Sequence, residues 1–128
     1  MTHVLIVEPD RKLARIFATA LERAGHSTQC AALAQDAISA ADERRPDLVL
    51  LELQLVAHGG IEFLYEFRSY ADWQDVPVII VSHVPPTEFA GSRELLYDRL
   101  GVRQYHYKPG LTLQALLASV DDSLGVAA

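Results

Sequence analysis

The sequence predicts an α/β fold in which helices cover both faces of a parallel, five-stranded sheet. Short, almost uniformly apolar runs alternate five times with longer segments whose apolar residues recur at helical spacing. Strands without a polar face are typical of parallel sheets that are buried on both sides. The 128 residues fit a single domain, predicted to cover residues 1–128, and half of them are hydrophobic, which is enough for a sizeable core.

The N-terminal part of the chain contains two strand–helix units. Residues 4–7 form the first strand, Asp10 is a helix N-cap, and Gly25 stands where the first helix should stop. A weak second strand is predicted at about 28–32 and a second helix at about 33–44, ended by Pro46. The residues predicted to face the core are Leu13, Ile16, Phe17, Ala20, Leu21 and Ala24 in the first helix and Ala37, Ile38 and Ala41 in the second.

Three further units complete the chain. The third strand is the apolar run at 48–51, and a third helix begins after Gly59-Gly60. The fourth strand is predicted at 76–81, followed after Pro85-Pro86 by a helix at roughly 88–100 that Gly101 ends. An alternating fifth strand at 102–107 precedes a last helix at about 113–124. The core positions are Ile61, Leu64 and Phe67 in the third helix and Leu113, Leu116, Leu117 and Val120 in the last.

Polar side chains stand at or just past the ends of four predicted strands: Glu8, Glu52, Ser82 and Lys108. Right-handed crossovers bring the carboxyl ends of parallel strands to one edge, where such sheets bind their ligands. Lysine is rare in this chain, with two lysines against nine arginines, which singles out Lys108. The pattern therefore predicts a site at this edge.

The segments VLIVEPD, PDLVLLEL, PVIIVS and YHYKP resemble the receiver domain of two-component response regulators, and the resemblance covers essentially the whole chain. It implies a flavodoxin-like (βα)5 fold, doubly wound, with strand order 2-1-3-4-5. It also implies a phosphoacceptor position at Glu52, an acidic Mg²⁺ pocket near Glu8 and Asp10, phosphate-sensing positions at Ser82 and Lys108, and a conformationally responsive aromatic at Tyr105.

The departures from that family fall on the chemistry. The family places aspartate at the phosphoacceptor position and an acidic pair after the first strand, but this chain has Glu52 and Glu8-Pro9. The extra methylene moves the carboxylate by about 1.5 Å and spoils an in-line attack. Asp10 is better explained as a helix cap. We therefore expect a degraded phosphorylation site and no metal, although Glu8 and Glu52 would hold one if it bound.

Neighbouring residues strengthen that interpretation. Lys108 is the natural counter-charge for Glu52, and such a pair could hold the domain in one conformation. His83 stands where the family has a small side chain, and Pro85-Pro86 stiffen a loop that moves in a switching receiver. Cys30 is predicted to be a packing residue. The five histidines lack the spacing of a zinc site.

We predict a non-enzymatic, receiver-like module that works in bacterial signalling through protein contacts, independently of phosphorylation. A protein partner or a second copy would bind the fourth helix, fifth strand and fifth helix, at Glu88 to Leu100, Tyr105, His106 and the start of the last helix. Two alternatives stay open. One is a working Mg²⁺-dependent phosphoreceiver that uses Glu8, Asp10 and Glu52. The other is a domain that binds a small anionic ligand through Ser82 and Lys108.

Other classes of function fit the sequence poorly. A net charge of −6 argues against direct nucleic-acid binding, and the apolar stretches are too short to span a membrane. The single cysteine fits the cytoplasm. Neither the glycine-rich dinucleotide motif nor a hydrolase nucleophile elbow is present.

Overall fold

The strands form one parallel sheet, as predicted. The computed structural model describes residues 1–125; residues 126–128, the last three of the predicted domain, lie outside that range. The sheet has the order β2-β1-β3-β4-β5. Its strands are β1 (His3–Val7), β2 (Ser27–Ala31), β3 (Leu48–Leu51), β4 (Val78–Ser82) and β5 (Val102–Tyr107). The observed strand order confirms the doubly wound prediction.

Helices cover both faces of this sheet. The α-helices are α1 (Arg11–Arg23), α2 (Ala34–Glu43), α3 (Gly60–Ser69) and α4 (Leu113–Ser123), and a short 3₁₀ helix spans Ala71–Trp73. On one face, β-strand side chains pack with α2 and α3 around Phe63 and Phe67. On the other face, they pack with α1 and α4 around Phe17 and Leu116. Alternate residues of the central strands enter the two cores, so both faces had to be apolar.

Caps fix the entry of the chain into α1 and α4. Asp10 accepts the N–H groups of Lys12 and Leu13 through one carboxylate oxygen, at 3.0 and 3.2 Å. Thr112 accepts the N–H of Ala115 at 3.1 Å. Both residues satisfy donors that the first turn leaves without a helical partner. The predicted cap at Asp10 is therefore present.

The segment predicted as one helix at 88–100 is irregular. It consists of a 3₁₀ stretch, Pro86–Ser92, and a π-helical turn, Glu94–Arg99. Phe89 interrupts the first part with φ −110° and ψ 16°. The π-type bond runs from the Leu100 N–H to the Leu95 carbonyl at 2.9 Å. We name residues 86–99 the irregular segment.

Several predicted packing positions were wrong. Ile16 is 48% exposed and Ala24 is also exposed, because the buried residues of α1 are Ala14, Phe17, Ala18 and Leu21. Leu113, the first residue of α4, is 41% exposed, and the buried residues of that helix are Leu116, Ser119 and Val120. Cys30 is exposed rather than packed, since β2 is an edge strand. The fourth strand begins two residues later than predicted.

Candidate functional site

Main-chain hydrogen bonds continue the sheet one residue beyond three strand ends and thereby fix the site residues. The Glu8 N–H donates to the Ala31 carbonyl, and the Glu52 N–H donates to the Val7 carbonyl, each at 3.0 Å. The Lys108 N–H donates to the Ser82 carbonyl at 2.7 Å. The predicted strand-end residues therefore start from rigid backbone at one edge of the sheet.

Lys108 bridges the two glutamates. Its ammonium lies 2.5 Å from Glu8 Oε1 and 2.8 Å from Glu52 Oε1. The side chains are nearly buried, with exposed fractions of 9% for Lys108, 4% for Glu8 and 3% for Glu52. The two carboxylates and one ammonium carry a formal charge of −1. The structure thus contains the predicted Glu52–Lys108 pair, and it adds Glu8 as a second acceptor.

Glu52 receives further donors from the surrounding loops. The Ser82 hydroxyl and the Gln54 N–H, the latter at 3.1 Å, donate to Oε2. The His83 N–H donates to Oε1 at 3.2 Å. With the ammonium, these groups engage both oxygens of the Glu52 carboxylate.

These contacts decide the protonation of the pair. Burial on its own raises the pKa of Glu52, but the hydrogen bonds from Lys108, Ser82 and Gln54 outweigh it, so the pKa lies below its usual value. Burial lowers the pKa of Lys108, yet the bonds to Glu52 and Glu8 outweigh that effect and leave the pKa raised. Both groups are therefore charged at neutral pH.

The residues at this site do not fit Mg²⁺. That ion needs near-octahedral oxygen ligands at about 2.0–2.1 Å. The Lys108 ammonium lies between the carboxylates of Glu8 and Glu52, and Glu8 Oε2 already accepts the Asp10 N–H at 3.0 Å. The Asp10 carboxylate caps α1, and Pro9 offers no side-chain oxygen.

The described part of the chain shows no cluster of three or more His, Cys, Asp or Glu side chains arranged to hold a metal ion.

Tyr105 connects the site to the irregular segment. Its hydroxyl donates to the Val84 carbonyl at 2.5 Å, and the Val84 N–H donates to the Ser82 hydroxyl oxygen at 3.0 Å. Burial is the main cause that raises the pKa of Tyr105, to about 12, so the phenol stays protonated. The Tyr105 ring lies 6.1 Å, centroid to centroid, from that of Phe89. A continuous set of contacts thus runs from Glu52 to the irregular segment.

His83 lies at the entrance, as its position predicted. The Nδ1 atom is 3.4 Å from Glu52 Oε1, and more than half of the side chain is exposed. The main-chain N–H of His83 makes the closer contact to Glu52. Sequence reasoning missed this amide and the Gln54 amide, because residue identity carries no signal for a main-chain donor. It also missed the contact between Lys108 and Glu8, which depends on the reach of two side chains.

Gly60 gives the site a further support that the sequence did not single out. A Cβ on this residue would lie 2.7 Å from the Leu53 Cα and 2.9 Å from the Glu52 carbonyl oxygen. Only glycine lets α3 start this close to the backbone that carries Glu52. The double glycine in the sequence was the available signal.

Comparison with protein families identifies the chain. The family described as "Response regulator receiver domain" matches residues 4–120. The chain belongs to this family. It is therefore a receiver domain of the kind used in two-component signalling, which confirms the resemblance noted in the sequence.

The curated relatives of this receiver domain differ in how much of their own length the match covers. Protein Rrf1 of Nitratidesulfovibrio vulgaris is 29% identical over 94% of the chain and 81% of its own length. The transcriptional regulatory protein YkoG of Bacillus subtilis is 31% identical over 95% of the chain. The KDP operon regulator KdpE of Escherichia coli is 42% identical over 64% of the chain. The matches span 50% of YkoG and 35% of KdpE.

Solved structures share the fold of this receiver domain. A sensor protein from Polaromonas sp. JS666 has a TM-score of 0.84 at 23% identity and covers 98% of both chains. A CheY-like receiver from Methanospirillum hungatei also has a TM-score of 0.84, at 21% identity, over 98% of this chain and 94% of its own. These similarities establish the fold.

Among residues 1–125, no helix combines the length and the apolarity that a membrane crossing requires.

Proposed function

We propose that this receiver domain works without phosphorylation, as a protein-interaction module in bacterial two-component signalling. The observation that carries the proposal is the Lys108 ammonium, which contacts Glu52 and Glu8 together at 2.8 and 2.5 Å. A carboxylate that attacks phosphorus must present a free oxygen in line with the leaving group, at about 3–3.5 Å. Both oxygens of Glu52 already accept hydrogen bonds.

The charge of the pocket supports the same proposal. A phosphodonor is an anion, and it would approach a site whose two carboxylates and one ammonium carry a formal charge of −1. Electrostatic stabilisation and positioning supply nearly all of the catalysis in phosphoryl transfer. We therefore propose no catalytic activity and no cofactor requirement for this domain.

The proposed interaction surface consists of the irregular segment, β5 and α4. A shallow, mainly apolar cavity of about 240 Å³ lies in this surface and is lined in part by Phe89, Leu96, Tyr97 and Tyr105. His106 bonds to the Ser119 hydroxyl at 2.8 Å and so connects β5 with α4. We propose that a protein partner or a second copy binds here, in the cytoplasm, and that nucleic acid and membrane are not direct ligands.

The contacts of Lys108 also bear on the two alternative functions. A Mg²⁺-dependent phosphoreceiver would have to displace the ammonium from Glu8 and Glu52. A small-anion binder would have to recruit an ammonium that two carboxylates already engage. Both alternatives therefore begin by breaking the same buried contacts, which disfavours them relative to the interaction module.

Intact-protein mass spectrometry tests the proposal. The protein is incubated with Mg²⁺ and acetyl phosphate, beside a receiver that carries aspartate at the phosphoacceptor position as a positive control. We expect the control to gain one phosphoryl group and this protein to remain unmodified. A base-labile, acid-stable phosphoryl adduct on Glu52 would overturn the proposal.

Sedimentation velocity tests the interaction half of the proposal. The distribution between monomer and dimer should be the same with and without Mg²⁺ and acetyl phosphate, since no step of association depends on modification. A change in that distribution that requires the phosphodonor would contradict phosphorylation-independent action.

A further inference from the structure

We propose that Lys108 supplies the cation of the pocket formed by Glu8, Glu52, Ser82 and Lys108 at the strand ends, and that its ammonium lies where a divalent cation would otherwise have to bind Glu8 and Glu52. The wild-type fold then needs no divalent cation, whereas loss of the ammonium opens a two-carboxylate site for Mg²⁺. This inference concerns the same pocket as the proposed function. It rests on the proposed function in one respect, because both require the Lys108 ammonium to remain bound to Glu8 and Glu52.

The burial of the carboxylates requires a cation at this position. Glu8 and Glu52 are almost completely buried, and an uncompensated charge in such surroundings is strongly unfavourable. The ammonium contacts Oε1 of each carboxylate. The Asp10 N–H satisfies Oε2 of Glu8, and the Gln54 N–H contributes to Oε2 of Glu52. The loops thus supply main-chain N–H donors, and Lys108 supplies the positive charge.

The backbone delivers the ammonium to this place. The Lys108 N–H donates to the Ser82 carbonyl at 2.7 Å, and the Lys108 carbonyl accepts the Leu111 N–H at 3.1 Å. Both main-chain groups of Lys108 are therefore fixed beside the end of β5. A cation that is covalently part of the fold occupies its site whenever the protein is folded.

Mg²⁺ competes poorly with such a cation. It loses its water reluctantly and demands near-octahedral geometry, and it would have to enter beside an ammonium that repels it. Removal of the ammonium reverses the situation, since Glu8 and Glu52 would then face each other with no positive charge between them. Two carboxylates, with water completing the coordination, are a typical protein contribution to a Mg²⁺ site.

Thermal unfolding in the presence of Mg²⁺ alone tests the inference. The variants are Lys108→Met, which keeps an unbranched side chain without its charge, and Lys12→Met as the matched control. Lys12 is the other lysine of the chain, and it is exposed on α1. Each protein is unfolded in EDTA and in increasing MgCl₂, with NaCl added to keep the ionic strength constant.

We expect the Tm of the wild type and of Lys12→Met to be indifferent to Mg²⁺. Lys108→Met should have a lower Tm in EDTA and regain on the order of 5 °C when Mg²⁺ exceeds its dissociation constant about tenfold. In the same variant, Mn²⁺ should broaden most strongly the amide NMR signals closest to the two carboxylates, which include those of Asp10, Gln54 and His83.

Saturable stabilisation of the wild type by Mg²⁺ would overturn the inference. So would a Lys108→Met protein that does not respond to Mg²⁺, including one that stays unfolded at every concentration, because the cation must be able to replace the ammonium. The phosphorylation assay reports on the chemistry of Glu52 and the titration reports on cation occupancy, so the two proposals fail separately.

Discussion

Replacement of Glu52 by glutamine should cost this domain a large part of its stability. The substitution keeps the shape of the side chain, but it removes the charge that Lys108, Ser82 and two main-chain N–H groups contact. The amide nitrogen must also face at least one of these donors. Lys108 keeps Glu8 as a partner, so its charge is not left wholly uncompensated.

The contacts set the size of the effect. A hydrogen bond to a charged group contributes about 1.5–3 kcal/mol, and loss of one partner from a buried ion pair costs about 3–5 kcal/mol. Since Glu8 retains the ammonium, we expect the low end of that range, about 3 kcal/mol. For a domain of this size, the corresponding decrease in Tm is about 12 °C.

Urea unfolding measures this free energy. Trp73 is the only tryptophan in the sequence and is buried, so its fluorescence reports on the core. Glu66→Gln is the matched control, because Glu66 is exposed on α3. We expect the control to stay within about 0.5 kcal/mol of the wild type.

The pH dependence gives a second test of the same contacts. The folded-state pKa of Glu52 is lower than its usual value of 4.5. The charged carboxylate therefore stabilises the fold above pH 4.5, and this stabilisation is lost as the pH falls through the folded-state pKa. The difference between wild type and Glu52→Gln should shrink over that interval. A loss no larger than that of Glu66→Gln, or a difference that does not change with pH, would refute the reasoning.

Three other predictions test the surroundings of the site. Gly60→Ala should destabilise the domain by about 1–3 kcal/mol in a urea titration, because the new Cβ meets backbone atoms, whereas Gly91→Ala, at an exposed position with open space around it, should not. Arg68 donates to four main-chain carbonyls. Arg68→Lys should lower the free energy of unfolding in urea by about 2 kcal/mol, since an ammonium cannot reach all four carbonyls. An unchanged urea midpoint would contradict this. The pKa values of Tyr105 and Lys108 are raised, that of Tyr105 to about 12. The protonated side chains therefore stabilise the folded state fully below about pH 10, and this contribution is lost at higher pH. Urea midpoints that do not fall between pH 8 and 11 would contradict this.

Apolar patterning was sufficient to predict the sheet. The run Leu48–Leu51 is a strand with the predicted bounds, because four consecutive buried apolar residues flanked by polar ones leave little freedom in the register. The start of the fourth strand was less accurate. Pro77 has no N–H to donate, and it takes part only through its carbonyl, which accepts the Val49 N–H at 3.0 Å.

Tertiary packing decided the irregular segment, which the sequence predicted as a regular helix. The spacing of Leu96 and Leu100 fits a helix, and both are buried. The segment begins at Pro86, the backbone departs from helical geometry at Phe89, and the Phe89 ring lies 6.1 Å from that of Tyr105. Local propensity carries no information about such a contact with a distant strand.

The sequence predicted which residues form the site, but it predicted only some of the contacts between them. Strand ends placed Glu8, Glu52, Ser82 and Lys108 together, and charge predicted the Glu52–Lys108 pair. The Lys108 ammonium contacts both Glu8 and Glu52. This double contact depends on the conformations of the three side chains, which the sequence does not specify. The resemblance to the family implies an acidic Mg²⁺ pocket that includes Glu8, and the structure shows the Lys108 ammonium against the carboxylates of Glu8 and Glu52.

The most direct test of the central claim is a backbone amide NMR spectrum recorded before and after addition of Mg²⁺ with beryllofluoride, an analogue of the phosphoryl group. The amides of Gln54 and His83, which donate to Glu52, and of Tyr105 report on the pocket and its connection to the irregular segment. If the Lys108 ammonium stays bound to Glu52 and Glu8, these signals will not shift. Saturable shifts of all three would contradict the account.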